Sequence, residues 1–381
     1  MQSDKIFCFY FPQFYSIPQN DFHWGKGFTD WDNVRSAEPL YSGHKQPRVP
    51  ESGIYYDQSQ PETLIQQAAL AKKYGVDGFS FYHYWFDGEL VLEKPMENLL
   101  SNPDIDLEFY ITWANETWSK RWVGEDDVII FKQTHENNRD IWKKHYDYLL
   151  RFWKDPRYLR IDGKPVFSIY NPHLIKNAKE MFAYWNQLLH EDLGCELYFV
   201  GVQVSEFVLA DVYEDYNNTL NFEPRFTYNS SANSKASFFS RSIFKYLRYL
   251  PESILNKLTK IRYKISSYEN VDYNSIWAGI INNSWLRCQR SDNNYGFYGA
   301  FVDWDNTARY KSKSKIYTGA NPANFEKNFL KLIDITKAQS SKRIFVINAW
   351  NEWSEGAYLE PDTVDGNAYL EAVQRIKCRL E

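Results

Sequence analysis

The sequence predicts an α/β protein, a (β/α)8 TIM barrel built as a single domain over residues 1–381. Three observations carry that prediction. Strand-like and helix-like segments alternate along the whole chain, as parallel sheets covered by helices require. The last strand-like run, Arg343-Ile344-Phe345-Val346-Ile347-Asn348, opens into Trp350-Asn351-Glu352-Trp353-Ser354-Glu355-Gly356, two carboxylates among tryptophans at the strand end where barrels carry their chemistry. The first strand is followed by Pro12-Gln13-Phe14-Tyr15-Ser16, which has no glycines to cradle a phosphate. That argues against the alternative, a doubly wound open sheet.

The predicted strands are Lys5–Phe11, Val76–Tyr84, Leu107–Trp113, Pro165–Tyr170, Leu197–Val202, Thr219–Phe222, Ile276–Asn282 and Arg343–Ala349. Each is a short apolar, β-branched or aromatic run that ends in polar residues. Helices are expected at Glu62–Lys73, Asn137–Lys154, Ala178–Leu193 and Ala323–Ala338. Pro61 before the first of these and Gly75 just beyond it are the usual start and stop signals. Asn20 to Tyr56 is a long connection rich in Gly, Pro and aromatics, of a kind that is often functional. Residues 231–268 form an insertion after the sixth strand, read as a basic and aromatic helical segment. Between Lys235 and Lys264 it holds eight Lys or Arg against one acid, Glu252. A solvated basic face accounts for that charge. Peripheral contact with an anionic membrane or glycan through 235–264 is the sharper expectation.

Net charge is -5, so no global basic field recruits nucleic acid. The chain carries 14 Trp, 29 Tyr and 26 Phe, more than core packing alone explains, because many sit in polar company at strand ends. Rings with polar edges suit sugars, whose faces are apolar and whose rims are hydroxyls. Cys8, Cys195, Cys288 and Cys378 match no metal or redox spacing and read as reduced thiols of a cytoplasmic protein. Met1-Gln2-Ser3-Asp4-Lys5 leads straight into a strand, so no signal peptide is expected, and no window is long and apolar enough for a membrane span.

Glu352 and Glu355 are the candidate catalytic residues. In an extended strand, positions i and i+3 face opposite sides, so both reach one site only if the chain turns after Glu352, which Gly356 permits. Paired carboxylates beside aromatic platforms are what glycosidic bond cleavage or transfer requires. A helix cap or surface ion pair would account for one such glutamate but poorly for two among three aromatics. Trp113-Ala114-Asn115-Glu116-Thr117-Trp118 closes the third strand. Glu116 there competes for the acid/base role, and substrate binding by Trp113, Asn115, Glu116 and Trp118 is preferred. Further substrate-binding candidates are Tyr10 and Gln13 after the first strand, His83, Tyr84 and Trp85 after the second, Asp305 and Arg309 after the seventh, and Trp350, Asn351 and Trp353. Glu206 and Glu223 are weaker candidates. His83 stands alone among aromatics, and no second His or Cys lies at ligand spacing, so no metal and no cofactor is expected.

Phe9-Tyr10-Phe11-Pro12-Gln13-Phe14, Gly75-Val76-Asp77-Gly78-Phe79 with His83-Tyr84-Trp85-Phe86, Trp113-Ala114-Asn115-Glu116, Trp304-Asp305-Asn306-Thr307 with Arg309, and the Trp350–Gly356 run together resemble the WbsX-like proteins. Those occur in bacterial O-antigen and capsule clusters and are often labelled glycosyltransferases. Asn351-Glu352-Trp353-x-Glu355-Gly356, with Glu360-Pro361 after it, is also similar to the family 99 glycoside hydrolases, the endo-α-mannosidases, which carry His at the position of Ser354. That second resemblance implies a (β/α)8 barrel and a retaining reaction without a nucleotide sugar. It implies that Glu352 deprotonates the sugar 2-hydroxyl, which attacks its own anomeric carbon to give a 1,2-anhydro sugar. Glu355 then serves as acid to the leaving oxygen and base to the incoming acceptor.

The expected function is therefore that of a retaining glycoside hydrolase on a bacterial surface polysaccharide. Its first rival is a glycosyltransferase or transglycosylase of O-antigen or capsule assembly. Its second is a non-catalytic glycan-binding protein, which would have no need of two clustered acids.

Overall fold

The computed structural model describes residues 4–120, 125–206, 208, 210–230, 268–288, 295–337, 340 and 342–380. Eight parallel strands form the barrel: β1 (Lys5–Tyr10), β2 (Gly78–Phe86), β3 (Glu108–Trp113), β4 (Lys164–Ile169), β5 (Tyr198–Gln203), β6 (Asn218–Asn221), β7 (Tyr295–Phe301) and β8 (Lys342–Asn348). Each pairs in parallel with the next in chain order up to β6, β7 pairs with β8, and β8 returns to β1. The seam between β6 and β7 is closed by other means. The Asn218 side chain donates to the Tyr295 carbonyl at 3.0 Å, and Gly299 lets the backbones meet, because a Cβ there would collide with the Asn221 carbonyl.

The helices used below are α1 (Asp30–Arg35), α2 (Pro61–Lys73), α3 (Lys94–Ser101), α4 (Arg139–Trp153), α5 (Ala178–Leu193), α6 (Arg225–Ser230), α7 (Tyr273–Cys288), α8 (Pro322–Thr336) and α9 (Ala368–Leu380). In α2, Pro61 occupies the first turn, and Leu64, Gln67, Ala68 and Ala71 are buried at the i, i+3, i+4, i+7 spacing of a one-sided helix. In α4, the Asn138 side chain caps the helix by accepting from the Asp140 and Ile141 amides. Its buried face is Trp142, His145, Tyr146, Leu149, Phe152 and Trp153. Inside the barrel Phe9 stacks on Tyr82 at 5.2 Å and meets Phe222 at 5.3 Å, which seats a rigid aromatic layer below the C-terminal mouth.

One predicted strand is corrected. Ile276–Asn282 lies within α7, and the seventh strand is Tyr295–Phe301. Tyr273, Ile276, Trp277, Ile280 and Ser284 are buried, a helical and not an alternating pattern. All seven residues of Tyr295–Phe301 are buried, and Gly299 is what the seam needs. The basic insertion, 235–264, lies outside the described residues. Cys8, Cys195 and Cys378 are free thiols. Among the described residues no helix is long and apolar enough to cross a membrane.

Candidate active site

The site begins with the turn that follows β8. Asn351–Glu352 pairs antiparallel with Ala357–Tyr358, and a single 3-10 turn, Trp353–Glu355, joins them. Gly356 closes the turn at φ +62°, a left-handed conformation that glycine adopts without strain. A side chain there would also press on the Asp305 backbone. The Asp305 amide donates to the Glu355 carbonyl at 2.7 Å, locking this turn to the loop after β7. The reversal brings Glu352 and Glu355 to the same side, and both line one cleft of about 490 Å³ at the C-terminal mouth of the barrel.

Arg309, on the short helix Thr307–Tyr310, organises the acids. Its Nη1 lies 2.9 Å from Glu355 Oε1, and its Nη2 lies 3.0 Å from Glu352 Oε1 and 2.9 Å from Asp30 Oδ2. The Ser354 hydroxyl bonds Asp30 and lies 3.3 Å from Glu352 Oε1. Three carboxylates thus share one guanidinium. Burial pushes the Glu352 carboxyl well above its usual range; Arg309 opposes the shift, and Glu355 and Asp30 add to it.

The loop carrying Arg309 is held from behind. Asp305 Oδ2 accepts from His44 Nε2 and Gln46 Nε2, both at 2.8 Å, and its Oδ1 accepts from the Thr307 amide and hydroxyl. The Leu40 amide donates to His44 Nδ1, which fixes the tautomer with its proton on Nε2. Burial would raise the Asp305 carboxyl, but these bonds and Arg48 outweigh it and hold it below the usual value. The long Asn20–Tyr56 connection therefore contributes Asp30 to the acid cluster and His44, Gln46 and Arg48 to its support.

The sequence candidates divide into two sets. Tyr84, Glu116, Trp118, Arg309, Glu352 and Glu355 line the cleft together. Gln13 is not among the cleft-lining residues; it lies near Tyr84, which does line the cleft. Tyr10, His83, Trp85, Trp113, Asn115, Asp305, Trp350, Asn351 and Trp353 do not face the cleft but are buried behind its wall, which corrects their expected role in substrate contact. Strand alternation explains the split in Tyr82-His83-Tyr84-Trp85: the tyrosines face the cleft, while His83 and Trp85 pack on His145 of α4. Tyr10 points the other way from Phe9 and donates to Gln67 of α2 at 2.6 Å. Trp113 donates to the Trp85 carbonyl at 3.2 Å.

The two asparagines are backbone clasps. Asn351 accepts from the Phe11 amide at 2.8 Å and donates to its carbonyl at 2.9 Å. Asn115 accepts from the Asn171 amide at 2.8 Å and donates to its carbonyl at 2.9 Å, and Asn171 in turn donates to Glu116. Trp350 and Trp353 are pinned by Glu360, whose carboxylate accepts from both indoles, Tyr56 and Gln67. Burial pushes Glu360 up to about 7 against those four bonds. Of the weaker candidates, Glu223 is buried, bonded to the Thr227 amide and hydroxyl, and pushed up to about 7 by burial. Glu206 is exposed and is not a cleft residue.

Sequence reasoning missed Asp30, Tyr82, Tyr170, Arg225, Lys313 and Lys315. Alternation from His83 would have found Tyr82; Asp30 had no local signal beyond its place in a long ordered connection. Among the described residues no group of three or more His, Cys, Asp or Glu is arranged to hold a metal ion.

Residues 6–373 match the family described as glycosyltransferase WbsX. Proteins described as uncharacterized protein WxcX, from two strains of Xanthomonas campestris pv. campestris, are 31% identical over 378 residues. The match covers 98% of this chain, which spans about half (50%) of those relatives' length. Among solved structures, the GH99 endo-alpha-mannosidase from Bacteroides thetaiotaomicron superposes with a TM-score of 0.58 at 14% identity, covering 100% of this chain and 98% of that one. A glycoside hydrolase-like protein superposes with a TM-score of 0.59 at 13% identity, covering 98% and 94%. At such identities the likeness speaks to the barrel alone. The family match spans nearly the whole chain, and the chain belongs to the WbsX glycosyltransferase family.

Proposed function

We propose that this chain is a retaining glycoside hydrolase acting on a bacterial surface polysaccharide through Glu352 and Glu355. The observation that carries the reading is the convergence of both carboxylates on Arg309 in one open, aromatic-lined cleft at the barrel mouth. Glu352 takes the proton of the sugar 2-hydroxyl as that oxygen attacks the anomeric carbon. The bond to the leaving oxygen breaks, and Glu355 protonates that oxygen. Glu355 then deprotonates water, which opens the 1,2-anhydro ring, and Glu352 returns its proton to O2. Net retention and a neutral balance follow. Arg309 keeps both acids in place, and Ser354 and Asp30 orient the pair from behind. Burial and the neighbouring acids raise the Glu352 pKa, which makes its carboxylate a stronger base towards the 2-hydroxyl, and Arg309 opposes that shift.

Transfer to a sugar acceptor in place of water is the second reading, favoured by the description of the family. The same two glutamates serve it, with the acceptor hydroxyl replacing water. The test is chemical. Glu355→Gln should lower turnover of an activated glycoside roughly 10²–10⁴-fold with affinity nearly unchanged. A 2-deoxy analogue should not turn over at all, since it cannot form the anhydro ring. Brisk cleavage of that analogue would make Glu352 a conventional nucleophile. Product formation that requires a nucleotide sugar would establish transfer.

A further inference from the structure

Asp30 stands behind the two glutamates and takes hydrogen bonds that Glu352 would otherwise receive. Its side chain is 5% exposed and does not line the cleft. Arg309 Nη2 directs its N–H at Asp30 Oδ2 at 2.9 Å. The same nitrogen lies 3.0 Å from Glu352 Oε1, where charge and not an aligned N–H makes the contact. The Ser354 hydroxyl also donates to Asp30 Oδ2. A hydroxyl has one proton to give. Its distance to Glu352 Oε1, 3.3 Å, is long for an O–H···O bond. The Asn33 side chain donates to Asp30 Oδ1 at 2.8 Å and pins the other oxygen of the carboxylate.

These contacts leave Glu352 close to positive charge but poor in hydrogen bonds. The charged and titratable groups that face it are Arg309 from the loop after β7, Asp30 from α1, Glu355 from its own turn, and the phenols Tyr82 and Tyr84 from β2. A hydrogen bond to a carboxylate favours its ionised form, and a neighbouring carboxylate disfavours it. Asp30 works against ionised Glu352 on both counts: it sets a like charge beside it, and it draws away the Ser354 proton. The affinity of Glu352 for the proton of the sugar 2-hydroxyl is greater as a result. The Arg309 and Ser354 contacts to Glu352 both fall on Oε1, which leaves Oε2 to take that proton.

We propose that Asp30 is a positioning residue for the reaction: by claiming Arg309 Nη2 and the Ser354 hydroxyl, it keeps Glu352 the stronger base towards the 2-hydroxyl. This rests on the hydrolase reading and adds how the base of that reading is tuned. Ser354 has the opposite sign, because whatever share of its proton reaches Glu352 weakens the base.

The test titrates Glu352 directly, in the full chain and in its Asp30→Asn and Ser354→Ala variants, by carbon NMR with carboxyl-labelled glutamate. The resonance is assigned by its loss in Glu352→Gln. Asp30→Asn should lower the Glu352 midpoint by about one pH unit or more, and Ser354→Ala should raise it. On an activated glycoside, the acid limb of kcat/KM should move the same way in each variant. The plateau of Asp30→Asn should be several-fold lower, with KM nearly unchanged. A merely structural role predicts a lower melting temperature or a uniform drop in rate, with no shift of midpoint and no difference of sign. An unmoved or raised midpoint in Asp30→Asn, or a lowered one in Ser354→Ala, would overturn the proposal. Ser354→Ala removes a single hydroxyl and decides the question if Asp30→Asn does not fold. Midpoints that move as stated in a protein that turns over no glycoside would sink the hydrolase reading and leave this coupling standing. Turnover with both midpoints unmoved would do the reverse.

Discussion

Replacing Arg309 with methionine removes the cation around which the acid cluster is built. Asp30, Glu352 and Glu355 have side chains only 5%, 9% and 20% exposed, and each lies within 3.0 Å of the guanidinium. At an effective dielectric of about 20, one such attraction is worth about 4 kcal/mol at a charge separation of ~4 Å. The three do not add, because the acids repel one another. Removing one partner of a buried pair typically costs roughly 3–5 kcal/mol, and that is the loss expected here at pH 8.

The sign follows from linkage. Without Arg309 the folded-state pKa of Glu352, already raised by burial, rises further. The folded variant then binds more protons than the unfolded chain at any pH between the unfolded value and that raised one. Its stability therefore increases as pH falls through the window. Urea denaturation of Arg309→Met and the parent at pH 8 and pH 5 should show a large difference at pH 8 and a much smaller one at pH 5. Arg309→Lys should fall between, since one ammonium cannot span acids set on both ends of a guanidinium. Equal stability of Arg309→Met and parent at pH 8 would refute the idea that these carboxylates are ionised neighbours held by a single cation.

Two further substitutions probe the scaffold. Gly356→Ala places a Cβ at φ +62° and 2.9 Å from the Asp305 amide nitrogen; the left-handed conformation alone costs roughly 1–2 kcal/mol, and activity should fall with stability because the turn presents Glu355. A parent-like melting temperature would mean that the turn relaxes freely. Glu223, buried and raised to about 7, favours its protonated form in the folded state, so stability should decline as pH rises from about 4.5 to 7, by about 3 kcal/mol at one pKa unit per 1.36 kcal/mol. Glu223→Gln retains bonding to Thr227 and should flatten that slope in a series of thermal melts; an unchanged slope would place the titration elsewhere.

The sequence by itself determined the barrel, the acid pair and the need for a turn between them. These are local properties. Apolar runs of strand length, the Pro61 and Gly75 boundaries of α2, and Gly356 beside Glu355 all act within a few residues of themselves. The seventh strand escaped because Gly299 serves a contact with Asn221, on a strand far away in sequence, which no local pattern records. Only the tertiary structure decided which polar and aromatic residues face the cleft. Trp350 and Trp353 look like sugar platforms in sequence, but Glu360 holds both indoles inside the wall. His83 and Trp85 have the composition of a binding site and the wrong face of β2. Asp30 and Arg309 are 279 residues apart, and their meeting with Glu352 and Glu355 exists only once the barrel closes and the Asn20–Tyr56 connection folds across its mouth. Sequence pattern records the faces that must be buried; charges that converge from separate loops are fixed by chain closure, which no single segment encodes.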